Sequence, residues 1–209
     1  MHYQTKRLSF SGFYFDIYED VYEPAEDSSL FVENLPIVPD MHVLDLGTGC
    51  GILAVLAAKK GGEVIAVDLN PFAIRCAKQN AYLNDMRDRI TFLRGDLFGA
   101  LQHSVRFDLV LFNAPYLPSE PDEEATWIGR SWAGGADGRV VVDRFITEVS
   151  AYLKPAGKAL LMQSTLTGLE KTLSGFNQQG LSACVVAERS LPFFETITLI
   201  EAKRLIVSK

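Results

Sequence analysis

From about residue 40 onward, short apolar runs of strand length alternate with stretches of helical periodicity. A chain satisfies that pattern with a mainly parallel sheet covered by helices on both faces. Val43-Leu44-Asp45-Leu46 and Val64-Ile65-Ala66-Val67 read as two buried strands, Ile90-Thr91-Phe92-Leu93 as a third and Phe107 to Phe112 as a fourth. Ala159-Leu160-Leu161-Met162 makes a fifth, after a Pro155-Ala156-Gly157 turn. A last pair, around Ser182 to Ala187 and Thr196 to Ile206, reads as an antiparallel hairpin that brings the sheet to seven strands. Ile52 to Lys60, rich in Ala and Leu, reads as a helix, as does Pro71 to about Tyr82, with Phe72, Ile74, Ala77 and Ala81 turned inward. Residues 117–138 form a long non-periodic loop holding Trp127, Trp132 and Gly134-Gly135, and loops of that length usually cover or shape a site. The two tryptophans either pin the loop to the sheet or line a channel beneath it.

A length of 209 residues, 48% of them hydrophobic, suits one well-buried core, so residues 1–209 are expected to be a single domain. Within it, residues 1–39 differ in character. Phe13 to Tyr18 favours a strand, Pro24 followed by Ala25 to Val32 favours a helix start, and the segment is expected to act as a lid. Apolar stretches are broken by Gly, Pro or charge before membrane-spanning length, and no apolar leader core follows His2-Tyr3-Gln4-Thr5-Lys6-Arg7, so a soluble cytoplasmic protein is expected. Three widely spaced cysteines and three histidines suggest neither a metal site nor a disulfide. A net charge of −6 argues against a phosphate-tracking surface.

The chemistry gathers where strands end. Asp45-Leu46-Gly47-Thr48-Gly49-Cys50-Gly51 joins the first strand to a helix, and its alternate glycines let backbone approach a ligand. Its spacing departs from the dinucleotide pattern and suits a nucleoside without pyrophosphate. Asp68 closes the second strand, placed to accept both ribose hydroxyl hydrogens of an adenosyl group. Asp96 ends the third, placed to accept from the adenine amino group, with Leu69 and Leu97 on either side of the ring. Asn113-Ala114-Pro115-Tyr116 ends the fourth strand and suits a planar amino group. The Asn113 side-chain oxygen and the Ala114 carbonyl accept its two hydrogens, Pro115 stiffens the turn, and Tyr116 covers the flat face. A row of this kind along the carboxyl edge of a parallel sheet implies S-adenosylmethionine, whose activated methyl needs neither metal nor covalent nucleophile.

With these residues in place, the chain resembles the class I (Rossmann-like) methyltransferases of the HemK type, in the short archaeal and eukaryotic branch that methylates a release-factor glutamine. The resemblance runs over almost the full length. It rests on Val21-Tyr22-Glu23-Pro24-Ala25-Glu26-Asp27-Ser28, the Asp45 to Gly51 loop, Asn113 to Tyr116, and Trp132-Ala133-Gly134-Gly135-Ala136-Asp137-Gly138-Arg139. It implies that Glu26, Asp45, Gly47, Thr48, Gly49, Gly51, Asp68, Leu69, Asp96, Leu97 and Asn113 hold the cofactor. It also implies that the acceptor is the glutamine N5 of a Gly-Gly-Gln motif in a class I translation termination factor. A small zinc-binding activator protein of the Trm type is implied too, pairing with the edge strand at residues 90–93. The family usually has Asn-Pro-Pro-Tyr; Ala114 stands at the first proline and keeps the carbonyl. Adenine N6 transfer on nucleic acid, lysine transfer, and a non-catalytic binding module on the same fold remain the alternatives.

Overall fold

The computed structural model describes residues 5–192 and 195–204. It opens on a hairpin, β1 (Thr5–Phe10) and β2 (Phe13–Tyr18), paired antiparallel across Ser11-Gly12, whose φ angles of 50° and 80° give the mirror-image turn that matches strand twist. The sequence marks β2 and not β1. After α1 (Glu26–Glu33), the main sheet begins with β3 (His42–Leu46), α2 (Ile52–Lys59), β4 (Glu63–Asp68), α3 (Pro71–Leu83) and β5 (Ile90–Arg94). It continues through β6 (Phe107–Asn113), α4 (Val140–Val149), β7 (Leu153–Ser164), α5 (Leu169–Gln178), β8 (Leu181–Ser190) and β9 (Thr196–Arg204).

Seven strands stand in the order β5-β4-β3-β6-β7-β9-β8. Those from β5 to β7 pair in parallel, and β9 runs antiparallel to both β7 and β8. The chain steps outward from β3 to β4 and β5, then returns to the other side of β3 as β6. The crevice between the carboxyl ends of β3 and β6 is therefore the switch point at which such sheets bind ligands.

Alternation along the strands sorts the core into two layers. Val43, Val64, Leu109 and Leu111 face α1, α2 and α3, meeting Phe31, Leu53, Val55 and Cys76. Leu44, Leu46, Val110 and Phe112 face α4 and α5, where Phe145 stands 4.9 Å from the Phe112 ring and 6.3 Å from Phe176. Burial of each such side chain contributes about 1.5–3 kcal/mol. The β1–β2 hairpin lies against α3 on the first of these faces, pinned where buried Asn80 donates to the Asp16 carbonyl at 3.0 Å and accepts from its N–H at 2.8 Å.

One expectation needs correction. Pro155-Ala156-Gly157 is not a turn before a strand but lies inside β7, at the irregularity where the β6 register shifts between Phe107 and Leu109. Proline is tolerated there because the ladder is already broken. Cys50 and Cys76 are buried free thiols, whereas Cys184 is exposed. The expected end of the last strand, Ile206, lies outside the described residues. Among those residues, no helix is long and apolar enough to cross a membrane.

Candidate functional site

A cavity of about 520 Å³ opens at the switch point, lined from the turn after β3, the ends of β4 and β6, residues 21–28 and the loop after Tyr116. Gly47, Thr48 and Gly49 form part of its wall, while Gly51 does not. At Gly51, φ is +86° and an added Cβ would stand 2.9 Å from that of Ala77, so this glycine starts α2 and lets it approach α3. Asp45 lies beneath the turn, fully buried, and accepts from the Thr48 hydroxyl at 2.7 Å, while its Oδ1 has no partner. Burial pushes this carboxyl up to about 7. Asp45 and Gly51 thus shape the turn from behind.

At the end of β4, Asp68 accepts from the N–H of Gly49 at 2.9 Å and of Asn70 at 2.8 Å, tying two strand-end turns together. Burial pushes its carboxyl up to about 6, against the pull of those donors. Leu69, 44% exposed, and Leu97 line the same end of the cavity. Leu97 sits at φ 45°, in the left-handed region that costs a branched side chain energy. Asp96 stands at the rim and accepts from Arg144 Nη2 at 2.9 Å. The sequence does not mark Arg144, which comes from α4.

The opposite end is built by contacts remote in sequence. Asn113 Nδ2 donates to Asp27 Oδ2 at 3.0 Å, and Asn113 Oδ1 is buried without a partner. Asp27, 6% exposed, also accepts from the Ser28 N–H at 2.6 Å, the Ser28 hydroxyl at 3.2 Å and the Tyr22 hydroxyl at 3.3 Å. Burial, and next the Asp27 charge, push the Tyr22 and Tyr116 phenols well above the ordinary tyrosine range, so both stay protonated. Ala114, Pro115 and Tyr116 line the cavity as the sequence anticipates. Glu26 does not: its carboxylate turns outward to Arg189 of β8 at 2.8 Å, and Glu33 joins the same guanidinium. Asp27, one residue on, is the acid that reaches the site, and the sequence reading missed it.

The loop after Tyr116 is ordered by backbone pairing, with Leu117 donating to the Trp132 carbonyl at 2.9 Å and accepting from Gly134 at 2.8 Å. Gly138, at φ +70°, passes so close that any Cβ would overlap the Tyr116 carbonyl. Arg139, 4% exposed, donates to the Gly168 carbonyl at 3.2 Å and the Thr172 hydroxyl at 3.0 Å, fastening this turn to α5. The Trp132 to Arg139 segment therefore buttresses the Asn113 to Tyr116 backbone. Trp127 and Trp132 both stand in the cavity wall, and the Arg130 guanidinium lies 5.1 Å from the Trp127 ring.

Comparison with known proteins shows the family. A family model, the methyltransferase small domain, matches residues 23–128. A Methanocaldococcus jannaschii protein named as an N5-glutamine methyltransferase is 39% identical over 200 residues, covering 95% of this chain and 99% of its own. Methyltransferase HEMK2 of Homo sapiens is 33% identical over 183 residues, covering 82% of this chain and 85% of its own. The solved E. cuniculi Mtq2-Trm112 complex, described as responsible for methylation of the eRF1 translation termination factor, contains a chain that is 25% identical. It superposes with a TM-score of 0.69 over 89% of this chain and 99% of that one.

Proposed function

The chain belongs to the HemK-type class I methyltransferases, and on that premise we propose that it methylates the side-chain N5 of the glutamine in the Gly-Gly-Gln motif of a class I translation termination factor, with S-adenosylmethionine as donor. The observation that carries this reading is the buried, unpartnered Oδ1 of Asn113, a residue of the cavity wall. A lone buried acceptor calls for a donor from the ligand, and a primary amide brings two.

The residues present fit the cofactor. The turn at Gly47 to Gly49 leaves backbone open to the cavity, and Asp68 keeps acceptor capacity for vicinal hydroxyls beyond the two N–H bonds it already takes. Asp96 would accept from an adenine amino group, with Leu69 and Leu97 as apolar wall beside it. When bound, S-adenosylmethionine supplies a methyl on a positively charged sulfur, an electrophile needing no further activation. The protein's work is placement: Asn113 Oδ1 and the Ala114 carbonyl take the two amide hydrogens, Pro115 holds the turn, and Tyr116 covers the amide plane. An amide nitrogen is a weak nucleophile, and alignment with exclusion of water supplies much of the acceleration.

The whole chain acts as one cytoplasmic domain, with residues 21–28 closing the cofactor cavity. A small zinc-binding activator of the Trm type adds to β5, which stands at the sheet edge with Phe92 and Leu93 half-buried and carries no proline. Strand addition there would leave the cavity face free. The acidic character of the chain disfavours a nucleic-acid acceptor.

Mass spectrometry of the termination factor after incubation with the protein, the activator and S-adenosylmethionine tests this reading, with duplex DNA as a parallel acceptor. One methyl on the Gly-Gly-Gln glutamine, absent with Asn113→Ala, is expected. Methyl on DNA and none on the factor would overturn the acceptor while leaving the cofactor assignment standing.

A further inference from the structure

An asparagine side chain carries an oxygen and an NH₂ of nearly equal size, so the shape of a pocket does not decide which of them faces a ligand. Hydrogen-bond polarity does. Here the neighbour on one side of Asn113 is the Asp27 carboxylate, which only accepts, and Nδ2 donates to its Oδ2 at 3.0 Å. The reversed orientation would bring Asn113 Oδ1 against that carboxylate, acceptor against acceptor in a buried place, and would leave both unsatisfied. The other Asp27 oxygen is held by the Ser28 N–H at 2.6 Å, so the carboxylate has no freedom to turn away.

We propose that Asp27 is the specificity-determining residue of the acceptor site: by fixing the direction of the Asn113 amide, it makes the cavity accept glutamine and reject glutamate. This rests on the glutamine reading above and deepens it. Glutamine and glutamate are nearly isosteric, and they differ in that one offers NH₂ where the other offers a second oxygen with a negative charge. Against Asn113 Oδ1, with Asp27 behind it, a glutamate carboxylate meets an acceptor and a like charge. Cations in the cavity wall are otherwise engaged, Arg144 on Asp96 at 2.9 Å and Arg130 on the Glu124 carbonyl at 2.7 Å. Asp27 is a positioning residue in this scheme, since it acts on the ligand through Asn113.

The Asp27→Asn substitution reverses the logic without changing size. Its oxygen stays on the Ser28 N–H, its new NH₂ occupies the place of Oδ2, and Asn113 turns its own oxygen toward that donor, presenting Nδ2 to the cavity. The test is a pair of capped peptides, one containing Gly-Gly-Gln and the other Gly-Gly-Glu, titrated at neutral pH onto the protein saturated with S-adenosylhomocysteine. The native chain is expected to prefer the glutamine peptide by about tenfold or more, the scale on which a site built for one hydrogen-bond polarity rejects the other. In Asp27→Asn that preference collapses to about threefold or inverts, chiefly because the glutamate peptide gains affinity, while S-adenosylhomocysteine binds as before. Tyr22→Phe, which keeps the carboxylate, retains the native preference. If Asp27→Asn does not fold, Asp27→Ala, which frees both orientations, is expected to narrow the preference in the same direction.

No preference in the native chain would overturn the glutamine reading itself. A native preference kept in full by the Asp27 variants would leave that reading standing and overturn the role of Asp27. A preference lost equally in Tyr22→Phe would assign the choice to pocket packing and overturn it as well.

Discussion

The two ends of the cavity are made in different ways. At the end proposed for the cofactor, Asp68 and the Gly47–Gly49 turn are held by backbone N–H groups a few residues from a strand end, and the wall there mixes buried Thr48 and Leu97 with exposed Leu69. At the other end, Asn113 is oriented by a buried carboxylate 86 residues away, with Ser28 also buried and Tyr22 and Tyr116 half-buried around it. Local turn chemistry suffices to bind a cofactor shared by many enzymes. Discrimination between acceptors needs buried polar groups that tertiary packing aims, because only there is an unmatched hydrogen bond expensive.

If the division is sound, the largest separation comes from Asn113→Ala, expected to lower methyl transfer about 10²- to 10³-fold with cofactor affinity unchanged by calorimetry. Asp68→Ala should do the converse, weakening S-adenosylhomocysteine binding by about ten- to a hundredfold through lost charge-assisted bonds. The native affinity should also fall as pH drops through about 6, since protonated Asp68 accepts less well, and Asp68→Asn should flatten that dependence. Gly138→Ala, which pushes on the Tyr116 carbonyl from outside the cavity, should cost about tenfold in transfer and little in cofactor binding; equal losses in both would erase the distinction between the ends.

Asp45 concerns stability. Its carboxyl is raised from 3.8 to about 7 by burial, so its contribution is present below pH 3.8 and lost as pH climbs through about 7. Melting temperatures of Asp45→Asn should accordingly be flatter than native across that window. The smallest effect is Arg189→Ala, expected to cost under about 1 kcal/mol and less at high salt, because its partners Glu26 and Glu33 are exposed.

The cofactor end was legible because a strand, its terminal acid and its glycines are contiguous, so parallel topology alone brings Asp45, Asp68 and Asp96 to one edge. Asn113 was legible for the same reason. Asp27 was not, because Glu26 and Asp27 are adjacent acids and one residue of helix rotation decides which of them turns inward. The signal was available: Asp27 lies four residues before Phe31, which is fully buried, whereas Glu26 shares its face with Glu33 seven residues on. In α4 the run Val140-Val141-Val142 hides a helix behind β-branched residues, and the spacing of Val142, Phe145, Ile146 and Val149 betrays it. The buttress from Gly134 to Arg139 was visible as a motif but not as a support, since its function is to lie against a backbone far from it in sequence.

The insertion of β9 between β7 and β8 bears on how the protein assembles. Until β9 arrives, β7 has an open edge and β8 has no neighbour in the sheet, so the clasp from Arg189 to α1 has nothing to hang from. β9 joins the adjacent β8 as a hairpin and reaches β7 across α5 and β8. A growing polypeptide can thus shape the β3–β6 part of its sheet while still being made, and gains the hold of Arg189 on α1 when β9 has emerged and paired.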